Sequence, residues 1–106
     1  MLTINQIVKL YEDGFEINVK RKPHPAGFKG EYDPATLEAA IYEPALESAF
    51  DRDLTILHEA IHCRNAVIWV PRNGRYNNRS IEREARKTYT KRPYVLEFLK
   101  QLYGIK

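Results

Sequence analysis

His58 and His62 are four residues apart, with Glu59 directly after the first, in a segment whose apolar residues recur at helical spacing. The apolar residues on one side of this segment are Leu54, Leu57 and Ile61. A helix with two imidazoles on one face and an apolar stripe beside them must pack against a core, which holds the rings in place. This segment therefore constrains the fold more than any other part of the chain.

Both imidazoles of such a helix can reach one metal ion, because residues four apart lie one turn apart and about 40° from each other around the axis. Glu59 lies roughly 60° from His62 and 100° from His58, so it can reach a water on the metal more easily than the metal itself. Imidazole ligands favour zinc, cobalt or copper over magnesium and calcium. A zinc ion with three protein ligands keeps a position for water and lowers its pKa to about 7, and Glu59 would pass the released proton to a leaving amine.

The alternative is a chance match on an ordinary amphipathic helix. The motif uses two of only three histidines in the chain, which favours the metal site. A third histidine ligand would have to be His24, on a turn bracketed by prolines. The pattern with Gly and His three and six residues after the second histidine is excluded, because Asn65 and Ile68 stand at those positions.

Two glutamates downstream are the other candidates for a third ligand. On a helix, the inward side of this region is defined by Ile81, Ala85, Thr88 and Tyr89. Glu82 lies within about 65° of the centre of that side, whereas Glu84 lies about 95° away on the other flank. Glu82 is therefore the predicted ligand and Glu84 the predicted solvent-facing charge; the alternative for both is pairing with a nearby cation, such as Glu82 with Arg86.

Size and composition indicate one soluble domain. The chain has 106 residues, enough for one modest core, and 43% of them are hydrophobic. The net charge of +3 permits nucleic-acid contact without favouring it, because fourteen acids are interleaved with the basic residues. A single cysteine excludes an intramolecular disulfide and a Cys-rich zinc module. No secretory signal or apolar run of ~20 residues is visible, so we expect a cytoplasmic protein without membrane association.

Local patterns predict an α+β fold with a small mixed or antiparallel sheet, packed on an N-terminal helix and on the helix of the two histidines, and followed by the glutamate helix. Thr3 and Gln6 form a capping box for the first helix, which Gly14 ends. Asp51 is expected to cap the second helix and Ser80 the third. The other predicted segments are strands at 15–20, 28–32 and 37–42, a basic turn at 20–25, an ambiguous apolar run at 67–70, a loop at 72–78 and a last helix from Pro93 to Gly104.

Several other residues can be interpreted as either structural or functional. Tyr89 lies seven residues after Glu82, almost above it, and could donate to the oxyanion of a tetrahedral intermediate, although a packed aromatic is the commoner case. Tyr76 and Tyr94 are weaker candidates for that role. Cys63 points away from the histidines and is expected to be buried. A run of cations between Arg72 and Arg92 could form a nucleic-acid stripe, but a solvated helix face is expected instead.

The motif His58-Glu59-x-x-His62 with Glu82 twenty residues later resembles the gluzincin layout of thermolysin-type peptidases. Glu82-x-x-Ala85 is similar to a segment of the integral-membrane HtpX-type peptidases. The length of the chain is similar to that of the minigluzincins, soluble proteins of about a hundred residues. A more distant similarity, to the ImmA/IrrE peptidases, rests on the segments 30–34 and 82–85.

This resemblance implies a single minimal zincin domain over residues 1–106, with one Zn²⁺ per chain, Glu82 as third ligand and endopeptidase activity on protein or peptide substrates. It also implies a sheet edge that binds substrate, for which Leu37 to Tyr42 is the candidate, and latency through the C-terminal segment 93–106, in a monomer or a tail-exchanged dimer. The bland alternative is that this segment is core. Arg86 replaces the acid that supports a zinc-bound histidine in the membrane families, so that support must come from elsewhere, such as a backbone carbonyl.

A second class of function is a metal-binding module without catalysis, whose basic face contacts protein or nucleic acid. Glu59 discriminates between the two, because a purely structural site has no use for a carboxylate beside its two histidines.

Overall fold

The computed structural model of the chain describes residues 1–69 and 77–106, which form an α+β fold of helices around a three-stranded sheet. The helices are α1 (Ile4–Glu12), α2 (Ala49–Arg64), α3 (Asn78–Lys91) and α4 (Pro93–Leu102), and the strands are β1 (Glu16–Lys20), β2 (Gly30–Asp33) and β3 (Glu38–Tyr42). A 3-10 turn (Glu43–Ala45) precedes α2, and a π-helical segment (Asn65–Trp69) continues it. Within the described ranges, no helix combines the length and apolar character needed to cross a bilayer.

The sheet has the strand order β1-β3-β2 and is mixed, as predicted. β3 pairs in parallel with β1 and antiparallel with β2, and the β2–β3 hairpin is closed by residues 34–37, where Leu37 has a φ of +58°. The prediction that Leu37 to Tyr42 has an unpaired edge is wrong, because β3 is the central strand. The outer edge next to α2 belongs to β2.

The predicted helices are present, with two corrections to their first residues. Thr3 and Gln6 form the capping box of α1. The α2 helix is capped by Ser48, whose hydroxyl accepts a hydrogen bond from the Asp51 amide, so Asp51 stands in the first turn. The α3 helix is capped by Asn77, which accepts from the amide of Ser80. Ser, Asp and Asn are all good caps, so a sequence with several candidates leaves the choice to packing.

Most of the apolar core is contributed by one side of α2 and the residues packed on it. The predicted stripe of α2 is buried, with Leu57 and Ile61 at 0% exposure. The α1 helix buries Ile7 and Leu10, whereas its Val8 and Tyr11 are exposed. The ambiguous run 67–70 is π-helical up to Trp69, whereas Val70 and the predicted loop residues 72–76 lie outside the described residues.

A buried cation joins the end of α2 to α3. The side chain of Arg64 is inaccessible to solvent, and its two terminal nitrogens donate to the two carboxylate oxygens of Glu84 at 2.6 Å. Glu84 is therefore the partner of a buried charge and not the solvent-facing charge that was predicted. The prediction failed because Arg64 lies twenty residues earlier in the chain, outside any local pattern.

The C-terminal segment 93–106 is part of the core. Val95, Leu96 and Leu99 of α4 are buried, and the hydroxyl of Tyr103 donates to the carbonyl of Phe15. In the structure this segment is therefore part of the core, as a helix packed on its own chain. A tail that covered the histidines would first have to leave this core; latency stays a prediction.

Removing the partner of Arg64 should be costly, because it leaves an uncompensated buried charge. We expect Glu84→Ala to lower the free energy of unfolding by about 3–5 kcal/mol, and Arg64→Met combined with Glu84→Leu to recover most of that loss. Glu97→Ala is the control, since Glu97 pairs with Lys100 at the surface, and should cost less than about 1 kcal/mol. Urea denaturation measures all three; a Glu84→Ala protein within 1 kcal/mol of the wild type would contradict the assignment.

Candidate metal centre

His58, Glu59 and His62 form a compact group on one side of α2. Each offers one ligand atom, and these atoms all lie within 4.8 Å of one another. The two imidazole rings meet edge to face with their centroids 4.8 Å apart. Among the described residues, this is the one cluster of three or more His, Cys, Asp or Glu side chains with that spacing. The helical spacing therefore brings the three predicted residues together.

His62 is held between the sheet and the start of α3. Its ring stacks nearly parallel to that of Tyr32, and its Nε2 lies 3.2 Å from the side-chain oxygen of Asn78. Burial lowers the pKa of His62, and the neighbouring His58 adds to this effect. The imidazole is therefore uncharged at neutral pH and keeps a lone pair for a metal ion.

Glu82 lies against the other histidine. One of its carboxylate oxygens is 3.1 Å from Nδ1 of His58, and the other is 3.3 Å from the guanidinium of Arg86. Two residues one turn apart on α3 therefore contact the two histidines one turn apart on α2: Asn78 contacts His62, and Glu82 contacts His58. Glu82 is beside the three-residue group without belonging to it, and its carboxylate contacts the group as the hydrogen-bond partner of His58.

Glu59 is a buried carboxyl beside these two rings, with 6% of its surface exposed. Burial raises its pKa to about 7, and the negative charge of Glu31 adds to the shift. At neutral pH the group is therefore present in both protonation states, and it can both accept and return a proton.

The edge strand β2 passes directly over Glu59. A Cβ atom on Gly30 would lie 2.7 Å from Cγ2 of Thr55 and 2.8 Å from Oε2 of Glu59. Only glycine allows β2 to approach α2 this closely. Gly30 therefore sets the distance between the sheet edge and the carboxyl.

Two adjoining cavities open on either side of this centre, with volumes of about 400 and 370 Å³. Both are lined by Phe28, Gly30, His58 and Glu59. The first continues along α2 and α3 to Glu82, and the second along β2 to His62 and Asn78. The histidines thus stand in the middle of a continuous open cleft.

Other predicted candidates lie elsewhere or have another role. Tyr89 packs edge to face on Phe50 and does not line either cavity; its role toward an oxyanion stays a prediction. Tyr94 is exposed and also lines neither cavity, and Tyr76 lies outside the described residues. Cys63 is buried, as expected, and burial raises its pKa to about 11.

Sequence reasoning missed three features of the cleft, namely Gly30, Glu31 and Asn78. From sequence, Gly30 and Glu31 belong only to a segment with a distant resemblance, and the composition of 72–78 predicts a loop at Asn78. The signal for Asn78 was the helix cap one residue before it, which places its side chain in the first turn of α3. Nothing local distinguishes Gly30, because its role depends on Thr55 and Glu59 across the cleft.

The donor set suits zinc. Two imidazoles with an adjacent carboxylate form a nitrogen-rich site that zinc prefers to the all-oxygen sites of magnesium and calcium. Neutral His62 and half-exposed Glu82 are available without breaking the core.

Comparison with family models, with curated proteins and with solved structures finds no match to this chain.

The close approach at Gly30 predicts a steric penalty for any side chain. We expect Gly30→Ala to lower the free energy of unfolding by about 1–3 kcal/mol, because the methyl group would overlap the rigid Cγ2 of Thr55. Adding Thr55→Ser removes Cγ2, keeps the hydroxyl that bonds the Asp51 carbonyl, and should restore part of the loss. Thermal and urea unfolding of both variants and of Thr55→Ser alone test this; a Gly30→Ala protein as stable as the wild type would refute it.

Proposed function

We propose that this protein is a zinc-dependent metalloendopeptidase of gluzincin type. The observation that carries the proposal is the tight group of His58, Glu59 and His62 at the centre of an open cleft. A cleft with space on both sides of this group suits a peptide that continues in both directions, which favours internal cleavage over removal of end residues.

The three predicted ligands, His58, His62 and Glu82, would hold one zinc ion. When bound, zinc would supply Lewis-acid polarisation of a carbonyl oxygen and acidify a water molecule. Glu82 would join this set from α3, where its contact with Nδ1 of His58 holds it beside the group. Arg86 holds the second oxygen of Glu82 and so limits its rotation.

Glu59 would act as the general base. Its carboxyl is buried beside both imidazoles, so it can take a proton from an attacking water and return it to the leaving amine. The backbone of β2 at Gly30 lies close to its carboxyl, and Glu59 lines both cavities beside the histidines.

The outer edge of β2 is the surface on which an extended peptide would bind. β2 pairs with β3 along one side, and Gly30 to Tyr32 line the cavity beside the histidines on the other. A peptide added as a further strand would form main-chain hydrogen bonds along this edge and cross the cleft next to Glu59.

Metal analysis tests the ligand assignment. Wild-type protein should bind one zinc per chain, and His58→Ala or His62→Ala should abolish stoichiometric binding. Glu82→Ala should weaken zinc binding by at least about 10- to 100-fold, the effect expected even of a residue that only orients a ligand. His24→Ala, which removes the remaining histidine, is the control and should keep the metal. Full zinc retention by His58→Ala would sink the assignment.

Substitution of Glu59 tests the chemistry. We expect Glu59→Gln to keep the fold and the zinc but to lose hydrolysis of casein or a peptide library by about 10²–10⁴-fold, because the amide cannot accept the proton. Glu97→Gln, on the exposed side of α4, should be as active as the wild type. Undiminished turnover by Glu59→Gln would overturn the proposed role.

A further inference from the structure

β2 presents two carboxylates on the face of the sheet that points away from α2. Gly30 and Tyr32 face α2, since the first lies over Glu59 and the second stacks on His62. Side chains alternate along a strand, so Glu31 and Asp33 point to the opposite face, and both are exposed. The strand that borders the cleft therefore carries an acidic side chain at every second position.

Glu31 is held in place by His24 and Tyr42. The amide of Ala26 donates to Nδ1 of His24 at 2.9 Å, which leaves Nε2, 3.1 Å from a Glu31 oxygen, as the donor of this ring. The hydroxyl of Tyr42 donates to the other oxygen at 3.5 Å. The ring of His24 is itself stacked on Phe28. These contacts position the carboxylate, and each of its oxygens keeps a lone pair for a further donor.

Asp33 is exposed on the same face of β2 as Glu31. One of its oxygens accepts from the amide of Ala35 in the hairpin turn. Across the sheet it faces Glu38, whose own charge is taken by Lys20. The nearby Lys29 is paired with Asp51. In the part of the chain that the structure describes, no lysine or arginine forms an ion pair with Glu31 or Asp33.

We infer that the edge of β2 selects peptides with lysine or arginine at two alternate positions. A peptide strand paired with β2 would place every second side chain on the outer face, directly opposite Glu31 and Asp33, where a cation forms a favourable cross-strand pair. An acid at these positions would be repelled. This inference rests on the proposed function, because it assumes that substrate pairs with this edge.

Matched peptides test the selection. A peptide that the zinc-loaded wild type cleaves is synthesised with Lys, with Gln or with Glu at two positions that are two residues apart. Several such pairs of positions on either side of the scissile bond are tested, one pair at a time. Each opposite-charge pair is worth about 1.4- to fivefold, so kcat/KM for the doubly basic peptide should exceed that for the glutamine peptide by about two- to 25-fold. The glutamate peptide should be the poorest substrate, and the differences should shrink in high salt.

The variant Glu31→Gln/Asp33→Asn removes both charges but keeps the acceptor oxygens for His24 and Ala35. It should lose the preference for the basic peptide. Glu12→Gln/Glu97→Gln changes the net charge equally, at exposed residues of α1 and α4 rather than of the sheet, and should keep the preference. Equal cleavage of the three peptides by the wild type, or an undiminished preference in the first variant, would overturn the inference while leaving the proposed function intact.

Peptide binding to zinc-loaded Glu59→Gln distinguishes a failure of the proposed function from a failure of the inferred preference for basic peptides. If the wild type cleaves no peptide, the proposed function fails, and Kd values then decide the inference alone. Tighter binding of the basic peptide, lost when Glu31→Gln and Asp33→Asn are added, supports it. Equal Kd values for the basic and glutamine peptides refute it.

Discussion

The arrangement of the helices depends on a guanidinium buried at the last turn of α2. Arg64 donates to both oxygens of Glu84 and to the side-chain oxygen of Asn65, lies 3.5 Å from the side-chain oxygen of Gln6 on α1, and stacks 3.5 Å above the ring of Trp69. A charge removed from water is tolerated only when its donors are satisfied, so each of these contacts restricts how its neighbours pack. The side chain of Arg64 thereby joins α2 to α1, to the π-helical segment and to α3.

The cleft follows from that junction. The Arg64–Glu84 pair ties α3 to α2, and Asn78 and Glu82 of α3 lie beside the two histidines. On the other side, Gly30 lets β2 approach until its backbone closes over Glu59. Burial is the larger cause of the raised pKa of this carboxyl, and the charge of Glu31 adds to it.

Local patterns predicted α1 to α4 and β1 to β3, and they predicted the group on α2, because periodicity and the spacing of His58 and His62 are properties of one short segment. They did not predict the 3-10 turn or the π-helical segment. What they missed involves residues far apart in the chain. The central position of β3, the Arg64–Glu84 pair and the crowding at Gly30 all depend on which segments meet in space. The sequence predicted that Glu82 faces the histidines, because helical geometry restricts which side chains of α3 point inward. Its actual contact, with Nδ1 of His58, required the packing of two helices.

An exposed strand edge is also a hazard, since unpaired backbone groups can join those of another molecule and begin aggregation. β2 is short and carries Glu31 and Asp33 on one face. If two copies of the chain paired edge to edge along β2, these carboxylates would face the same carboxylates of the other copy, and like charges directly across a sheet are destabilising. The acidic edge therefore disfavours self-association of the folded protein and leaves the backbone of β2 open to other strands.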